Sequence, residues 1–171
     1  ARGLTELMLQ MELPLTRVLF DMEQEGFWVD VQVLDDLSGQ FTAEIERCRK
    51  QFLSLTNAPE GFNLNSPKQL GELLFDKLGL PAPKKTKTGS YSTTAEILEG
   101  LAPYHDAIEP LLRYRKLTKL QSTYVDGLRK LRSRDGRVHT TFDQTAAVTG
   151  RISSLEPNLQ NIPIRTEEGR E

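Results

Sequence analysis

One cysteine, Cys48, stands among 171 residues. It excludes an internal disulfide framework and fits a reducing cytosol, so a cytoplasmic protein is expected. The two histidines, His105 and His139, are 34 positions apart with no cysteine beside either. A zinc site needs such ligands clustered, and none is expected. Aromatic residues make up only 7% and apolar residues 37%, which leaves a narrow packed face. No run approaches the roughly 18 apolar residues of a membrane span, and the first thirty residues carry no signal-peptide pattern. A membrane is therefore not an expected partner. Thr149-Gly150-Arg151 lacks the spacing of a phosphate-binding P-loop. No Ser/His/Asp or Cys/His constellation can be argued, and the acidic pairs Asp35-Asp36 and Glu167-Glu168 read as solvated faces. The residues by themselves assign no catalytic group and no metal ligand.

What is present is mostly helical signal and an uneven charge. The length suits one domain or two small ones, with about 70% of the unfolded surface available for burial. The net charge of −2 conceals opposite halves. Residues 1–60 hold 5 basic and 11 acidic groups, and residues 110–151 hold 10 basic and 3 acidic groups. A basic segment on a nearly neutral chain is an electrostatic footprint for phosphate.

Apolar residues recur at helical spacing in several stretches. Leu4, Leu7, Met8 and Met11 mark a first helix. Pro14 suits the opening of a second, striped by Leu15, Val18, Leu19 and Met22 and stopped by Gly26. Phe27-Trp28-Val29 reads as a short strand. Asp30 caps a third helix over roughly 31–56, striped by Val33, Leu34, Leu37, Phe41, Ile45, Cys48, Phe52 and Leu55. Ser66, Pro67 and Gln69 open another helix in the manner of a capping box, running to near Gly79. Residues 81–91 combine two prolines, Gly89 and three lysines and read as an exposed basic loop. Thr93 and Glu96 form a second box, opening a helix to about Glu99. A long helix is expected from near Tyr104 to Arg132, with Pro110 in its first turns. Residues 137–144 alternate as a strand, and Thr145 to Ile152 return as its partner. The tail from Ser153 is irregular but dense in Asn and Gln. The fold class expected is mainly α with a small antiparallel β-hairpin near the C-terminus.

Arg115, Lys119 and Ser122 recur at i, i+4 and i+7 and so share a helical face, with Arg129 two turns on. With Lys84, Lys85 and Lys87 they make a surface able to follow a nucleic-acid backbone. Arg151, Asn158, Gln160, Asn161 and Arg165 add donors suited to phosphate oxygens and base edges. The lone glycine before Arg151, at position 150, would let a backbone approach closely.

The segment Phe142-Asp-Gln-Thr-Ala-Ala-Val-Thr-Gly-Arg-Ile-Ser-Ser-Leu-Glu-Pro-Asn-Leu-Gln-Asn-Ile-Pro-Ile-Arg165 closely resembles the stretch that enters the palm of the family A DNA polymerases. Thr149-Gly-Arg-Ile-Ser-Ser and Pro157-Asn-Leu-Gln-Asn-Ile-Pro163 are its most specific parts. Phe62-Asn-Leu-Asn-Ser-Pro-Lys-Gln-Leu70, Lys85-Thr-Lys-Thr-Gly89 and Leu117-Thr-Lys-Leu-Gln-Ser-Thr-Tyr124 resemble the thumb of the same family. Glu12-Leu-Pro-Leu15, ahead of Gly26 and Asp30, is also similar. The resemblance covers essentially the whole chain.

The resemblance implies N-terminal helices over 1–60, a thumb over 61–136, and the first palm hairpin with the start of the palm over 137–171. Arg151 is then similar to the arginine that reaches the minor groove at the primer terminus. Asn158, Gln160 and Asn161 are similar to the polar cluster beside duplex and template. Asn65, Ser66, Lys119, Ser122 and Thr123 are similar to thumb residues on backbone phosphates. Asp143 departs from the family, where asparagine is frequent, and takes no DNA contact by this reasoning. The implied partner is primer–template DNA. Deoxynucleoside triphosphates and Mg2+ belong to the longer polymerase, whose metal carboxylates are expected beyond Glu171. The implied role is to grip DNA in replication and repair, without catalysis by this piece. A stand-alone nucleic-acid-binding helical module, or a helical protein-interaction domain, are the competing classes.

Overall fold

A computed structural model describes residues 2–83 and 91–162. The chain divides into two compact units, one of residues 38–121 and one of residues 1–37 with 122–171.

The unit of residues 38–121 is helical. Helix α3 (Val31–Thr56) supplies one wall. Asp30 caps it, its Oδ1 accepting from the backbone nitrogens of Gln32 at 2.9 Å and Val33 at 3.4 Å. The buried positions Phe41, Cys48 and Phe52 follow the expected stripe, whereas Leu55 at its end is exposed. Next comes α4 (Pro67–Gly71), continued by a π-helical turn over Glu72–Lys77. The Ser66 hydroxyl accepts from the Gln69 nitrogen, as expected of a cap. The return bond differs, because the Gln69 side chain accepts from the Asn63 nitrogen at 3.2 Å rather than from Ser66. Helix α5 (Ala95–Leu101) runs into a 3-10 turn, Ala102–Tyr104, and α6 spans Ile108–Leu120 with Pro110 in its first turn. Phe52, Leu64, Leu70, Leu74, Leu98 and Leu111 are among the residues that close the core.

Two expectations fail along these helices. The long helix starts at Ile108 rather than Tyr104, and it passes through a π-helical turn over Gln121–Val125 before α7 (Asp126–Leu131). Thr93 does not cap α5. Thr94 holds the N-cap position, without a side-chain bond, because the oxygens of Thr93 are taken by Arg115.

In the other unit, α1 (Arg2–Leu7) and α2 (Leu13–Glu25) are joined by a π-helical turn, Met8–Glu12. The chain therefore does not break before Pro14. A proline lacks the N–H and crowds the carbonyl four residues back, and the wider turn just ahead of it takes up the mismatch, with the Leu13 nitrogen donating to the Met8 carbonyl. The expected stripe is mostly not buried: Leu4, Leu7, Met8, Met11, Val18 and Met22 are exposed, and in α2 only Leu19 is buried. Gly26 ends α2 with φ 68°. A Cβ there would lie 2.7 Å from the His139 ring, so glycine is required twice over, by conformation and by space.

Strand β1 (Phe27–Trp28) pairs antiparallel with β2 (Arg137–Val138), Phe27 opposite Val138. Strands β3 (Thr141–Asp143) and β4 (Ser153–Leu155) form a second antiparallel pair, Phe142 opposite Ser154. The helix-rich fold with a small antiparallel pair near the C-terminus is as expected, but its details correct the sequence. Residues 137–144 are two strands with different partners, not one. Residues 145–152 are not a strand: Asp143 turns the chain at Thr145, and the Gly150 nitrogen donates to the Ala147 carbonyl at 3.1 Å.

Candidate nucleic-acid interface

In the helical unit, Asn65 is exposed and Ser66 half-buried at the turn before α4. The Ser66 oxygen accepts the cap bond and keeps its own proton to donate. The Asn65 amide donates to the Tyr114 hydroxyl at 3.4 Å. Lys119 is exposed on α6. A groove of about 510 Å3 beside α5 and α6 is lined by Glu99 and Glu109 together with Arg113, Lys116 and Lys119.

Arg115 differs from Lys119, although four residues apart put both on one face. Its Nη1 donates to the Thr93 carbonyl at 2.6 Å and its Nε to the Leu64 carbonyl at 3.3 Å. Both terminal nitrogens also reach the Thr93 hydroxyl, at 3.5 and 3.4 Å. Burial lowers its pKa from the ordinary arginine value, yet an arginine stays charged at any neutral pH.

In the other unit, Ser122 and Thr123 are exposed within the π-helical turn. Arg129 is no spare cation, since its Nη2 meets Asp35 at 2.5 Å. Arg151 is exposed and makes no hydrogen bond or ion pair among the described residues. Gly150 before it has φ 76°, and nothing lies within 4 Å of an added Cβ. Its need within the chain is thus left-handed backbone rather than room.

The polar turn after β4 is built on two hydroxyls. Thr140 and Ser154 are buried, with their oxygens 2.7 Å apart. The Thr140 oxygen lies 2.9 Å from the Leu155 carbonyl and 2.8 Å from that of Pro157. Ser154 reaches the Pro157 carbonyl at 3.0 Å and accepts from the Leu159 nitrogen at 3.2 Å. Above this base stands a 3-10 turn, Leu159–Asn161, capped by the Asn158 side chain on the Gln160 nitrogen at 3.1 Å. Gln160 donates its amide to the Ile152 carbonyl at 2.7 Å, and the Tyr124 hydroxyl donates to the Asn161 carbonyl. Asn158, Gln160 and Asn161 remain exposed. Thus Asn158 and Gln160 each spend part of their hydrogen-bonding capacity on shaping the turn that displays them.

Asp143 also turns inward on its own loop. Its Oδ1 accepts from both the hydroxyl and the nitrogen of Thr145, each at 2.7 Å. The Thr145 hydroxyl bond, then the backbone bond, hold its pKa below the ordinary aspartate value. Lys84, Lys85, Lys87 and Arg165 lie outside the described residues. Among the described residues no group of three or more His, Cys, Asp or Glu side chains stands close enough to hold a metal ion, and no helix is long and apolar enough to cross a membrane.

Residues 31–171 match the sequence pattern of DNA polymerase family A. The chain belongs to the family A DNA polymerases. It is 52% identical to DNA polymerase I of Geobacillus stearothermophilus over 165 residues, 96% of this chain and 18% of that protein. It is 51% identical to the thermostable DNA polymerase I of Thermus aquaticus over 163 residues, 94% of this chain and 19% of that one. The chain therefore spans about a fifth of the length of these relatives. The fold is similar, at a TM-score of 0.88 and 47% identity, to the POL domain of Pol1 from M. smegmatis in complex with DNA primer–template and dNTP, over 96% of this chain and 29% of that one.

Within this family A polymerase chain, sequence reasoning missed the supports of the site. Thr93 holds Arg115, Tyr114 holds Asn65, and Thr140 and Ser154 hold the backbone on either side of Asn158, but hydroxyl side chains in such positions give no periodic or compositional signal.

Proposed function

We propose that this chain grips the primer–template duplex of a template-directed DNA polymerase and performs no nucleotidyl transfer itself. The observation that carries the reading is Arg151. It stands exposed after a left-handed glycine, without a partner among the described residues, in the segment most specific to the family. Every Watson–Crick pair presents an acceptor at nearly the same place in the minor groove. A guanidinium placed there can respond to pair shape without reading which pair it is, as a copying enzyme requires. The exposed Asn158, Gln160 and Asn161 supply further donors and acceptors, and Asn65, Ser66, Lys119, Ser122 and Thr123 meet backbone phosphates in the thumb, with the lysines at 84, 85 and 87.

Phosphoryl transfer by polymerases relies on two divalent ions that clamp the attacking and leaving oxygens. Among the described residues no group of three or more His, Cys, Asp or Glu side chains fits such ions, and no chemical step is assigned to this chain. The test has two arms. The 171-residue chain should bind duplex DNA without regard to sequence, with log K falling against log salt at a slope of roughly −3 to −4.5, as for about 3–5 neutralised phosphates. With magnesium, template and dNTPs it should not extend a primer. A slope near zero refutes the grip, and extension by the pure chain refutes the division of labour.

A further inference from the structure

We propose that Arg115 is a positioning residue, which acts on DNA through the Leu64–Ser66 turn rather than by meeting a phosphate. The inference rests on the DNA-gripping reading above. Its ground is where the guanidinium spends its donors. Arginine has five N–H donors in a rigid fork. Here the fork spans two segments far apart in sequence, the Leu64 carbonyl on one side and the carbonyl and hydroxyl of Thr93 on the other. Leu64 and Thr93 are both buried. Leu64 immediately precedes Asn65 and Ser66, and Thr93 immediately precedes Thr94, the N-cap of α5. The neighbouring Tyr114 takes the Asn65 amide on its hydroxyl. Two consecutive residues of α6 thus fix the backbone and the side chain of the same turn.

The electrostatics favour this role. Arg115 pairs with no carboxylate among the described residues, and its burial opposes its charge. A half-buried cation without a counter-ion is costly unless its donors are met. Two backbone carbonyls and the Thr93 hydroxyl accept from all three of its nitrogens. Lysine, with one ammonium in place of a planar fork, cannot span both sides.

The experiment measures duplex binding by the 171-residue chain against salt, in Arg115→Lys, Arg115→Gln, Lys119→Ala and Tyr114→Phe. Asn65 and Ser66 are neutral, so losing them weakens binding without releasing fewer counter-ions. Arg115→Lys and Arg115→Gln should therefore each weaken binding about tenfold, the cost of one or two lost hydrogen bonds, with the slope unchanged for lysine. Amide exchange at Asn65 and Ser66 should quicken in both. Lys119→Ala, a phosphate contact, should instead flatten the slope by about 0.9 and leave that exchange alone. Tyr114→Phe removes one oxygen and keeps the ring that packs against the core. It should weaken binding about two- to fivefold at constant slope, and it decides the matter should either Arg115 variant fail to fold.

Three results overturn the proposal. Wild-type affinity in Arg115→Lys, together with a flattened slope in Arg115→Gln, makes Arg115 a direct contact. A lower melting temperature with unchanged affinity makes it purely structural, and unchanged affinity in Tyr114→Phe removes the turn as intermediary. Salt-independent binding by the wild-type chain would instead sink the gripping reading on which the proposal stands.

Discussion

Replacing Ser154 by alanine tests the footing of the polar turn most directly. Ser154 is fully buried, and its hydroxyl both donates toward the Pro157 carbonyl and accepts from the Leu159 nitrogen. Thr140 and Ser154 carry two protons between them and face two carbonyls, those of Leu155 and Pro157. Without Ser154, the single Thr140 proton must choose between those carbonyls, and the Leu159 N–H loses its acceptor. A buried group left unpaired costs about 1–3 kcal/mol. Leu159 is only half-buried, so water recovers part of this, and the loss expected is about 1–2 kcal/mol. Thr140→Val keeps the shape, removes the other hydroxyl and should cost a similar amount. Because each hydroxyl is the other's neighbour at 2.7 Å, the double variant should lose less than the sum of the singles, by roughly 0.5 kcal/mol or more. Urea unfolding followed by circular dichroism gives the three losses, and amide exchange at Leu159 localises them. A Ser154→Ala chain within about 0.3 kcal/mol of wild type, with Leu159 exchange unchanged, would refute the accounting, since it predicts a loss of at least 1 kcal/mol.

Four further outcomes are expected. Gly26→Ala should destabilise the chain by about 1–3 kcal/mol, because the new methyl meets a histidine held to the Glu23 carbonyl at 2.8 Å; a melting temperature within error of wild type contradicts it. Replacing Lys84, Lys85 and Lys87 together by alanine should flatten the salt slope by about 0.9 for each lysine that meets a phosphate, with the helical signal unchanged; an unaltered slope removes these lysines from the grip. The Asp143 carboxyl, whose pKa is lowered chiefly by the Thr145 hydroxyl, should titrate below its value in urea-unfolded chain when followed by carboxyl NMR. Its contribution is present above the ordinary aspartate value and is lost as pH falls through the lower, folded one; equal midpoints in the two states would show the turn to be unimportant. In a complete polymerase carrying this segment, Arg151→Ala should slow single-turnover incorporation at a matched primer end roughly ten- to a hundredfold, and a slowing that merely follows lost stability makes Arg151 structural.

The helices were legible in the sequence because their signals are local. The ends of α3 follow from Asp30 at one side and the turn formers after Thr56 at the other, and its stripe marks the buried Phe41, Cys48 and Phe52. Ser66 and Pro67 announce α4 by themselves. The family, too, was carried by contiguous motifs, and the exposure of Arg151, Asn158, Gln160 and Asn161 agrees with the polar character of that stretch, but the tail is not irregular, since Ser153–Leu155 pairs as β4 and Leu159–Asn161 forms a 3-10 turn. Where partners are distant, the sequence was silent or misleading. Alternation over 137–144 says that the stretch is extended, but only the approach of Phe27–Trp28 and of Ser153–Leu155 divides it between two partners. Helical spacing places Arg115 and Lys119 on one face, yet the carbonyls that draw Arg115 inward come from residues 51 and 22 positions away. Periodicity determines which way a side chain points along its own helix. Whether it then meets solvent or another segment is decided only when the chain has folded around it, because that depends on which distant groups still lack a hydrogen-bond partner.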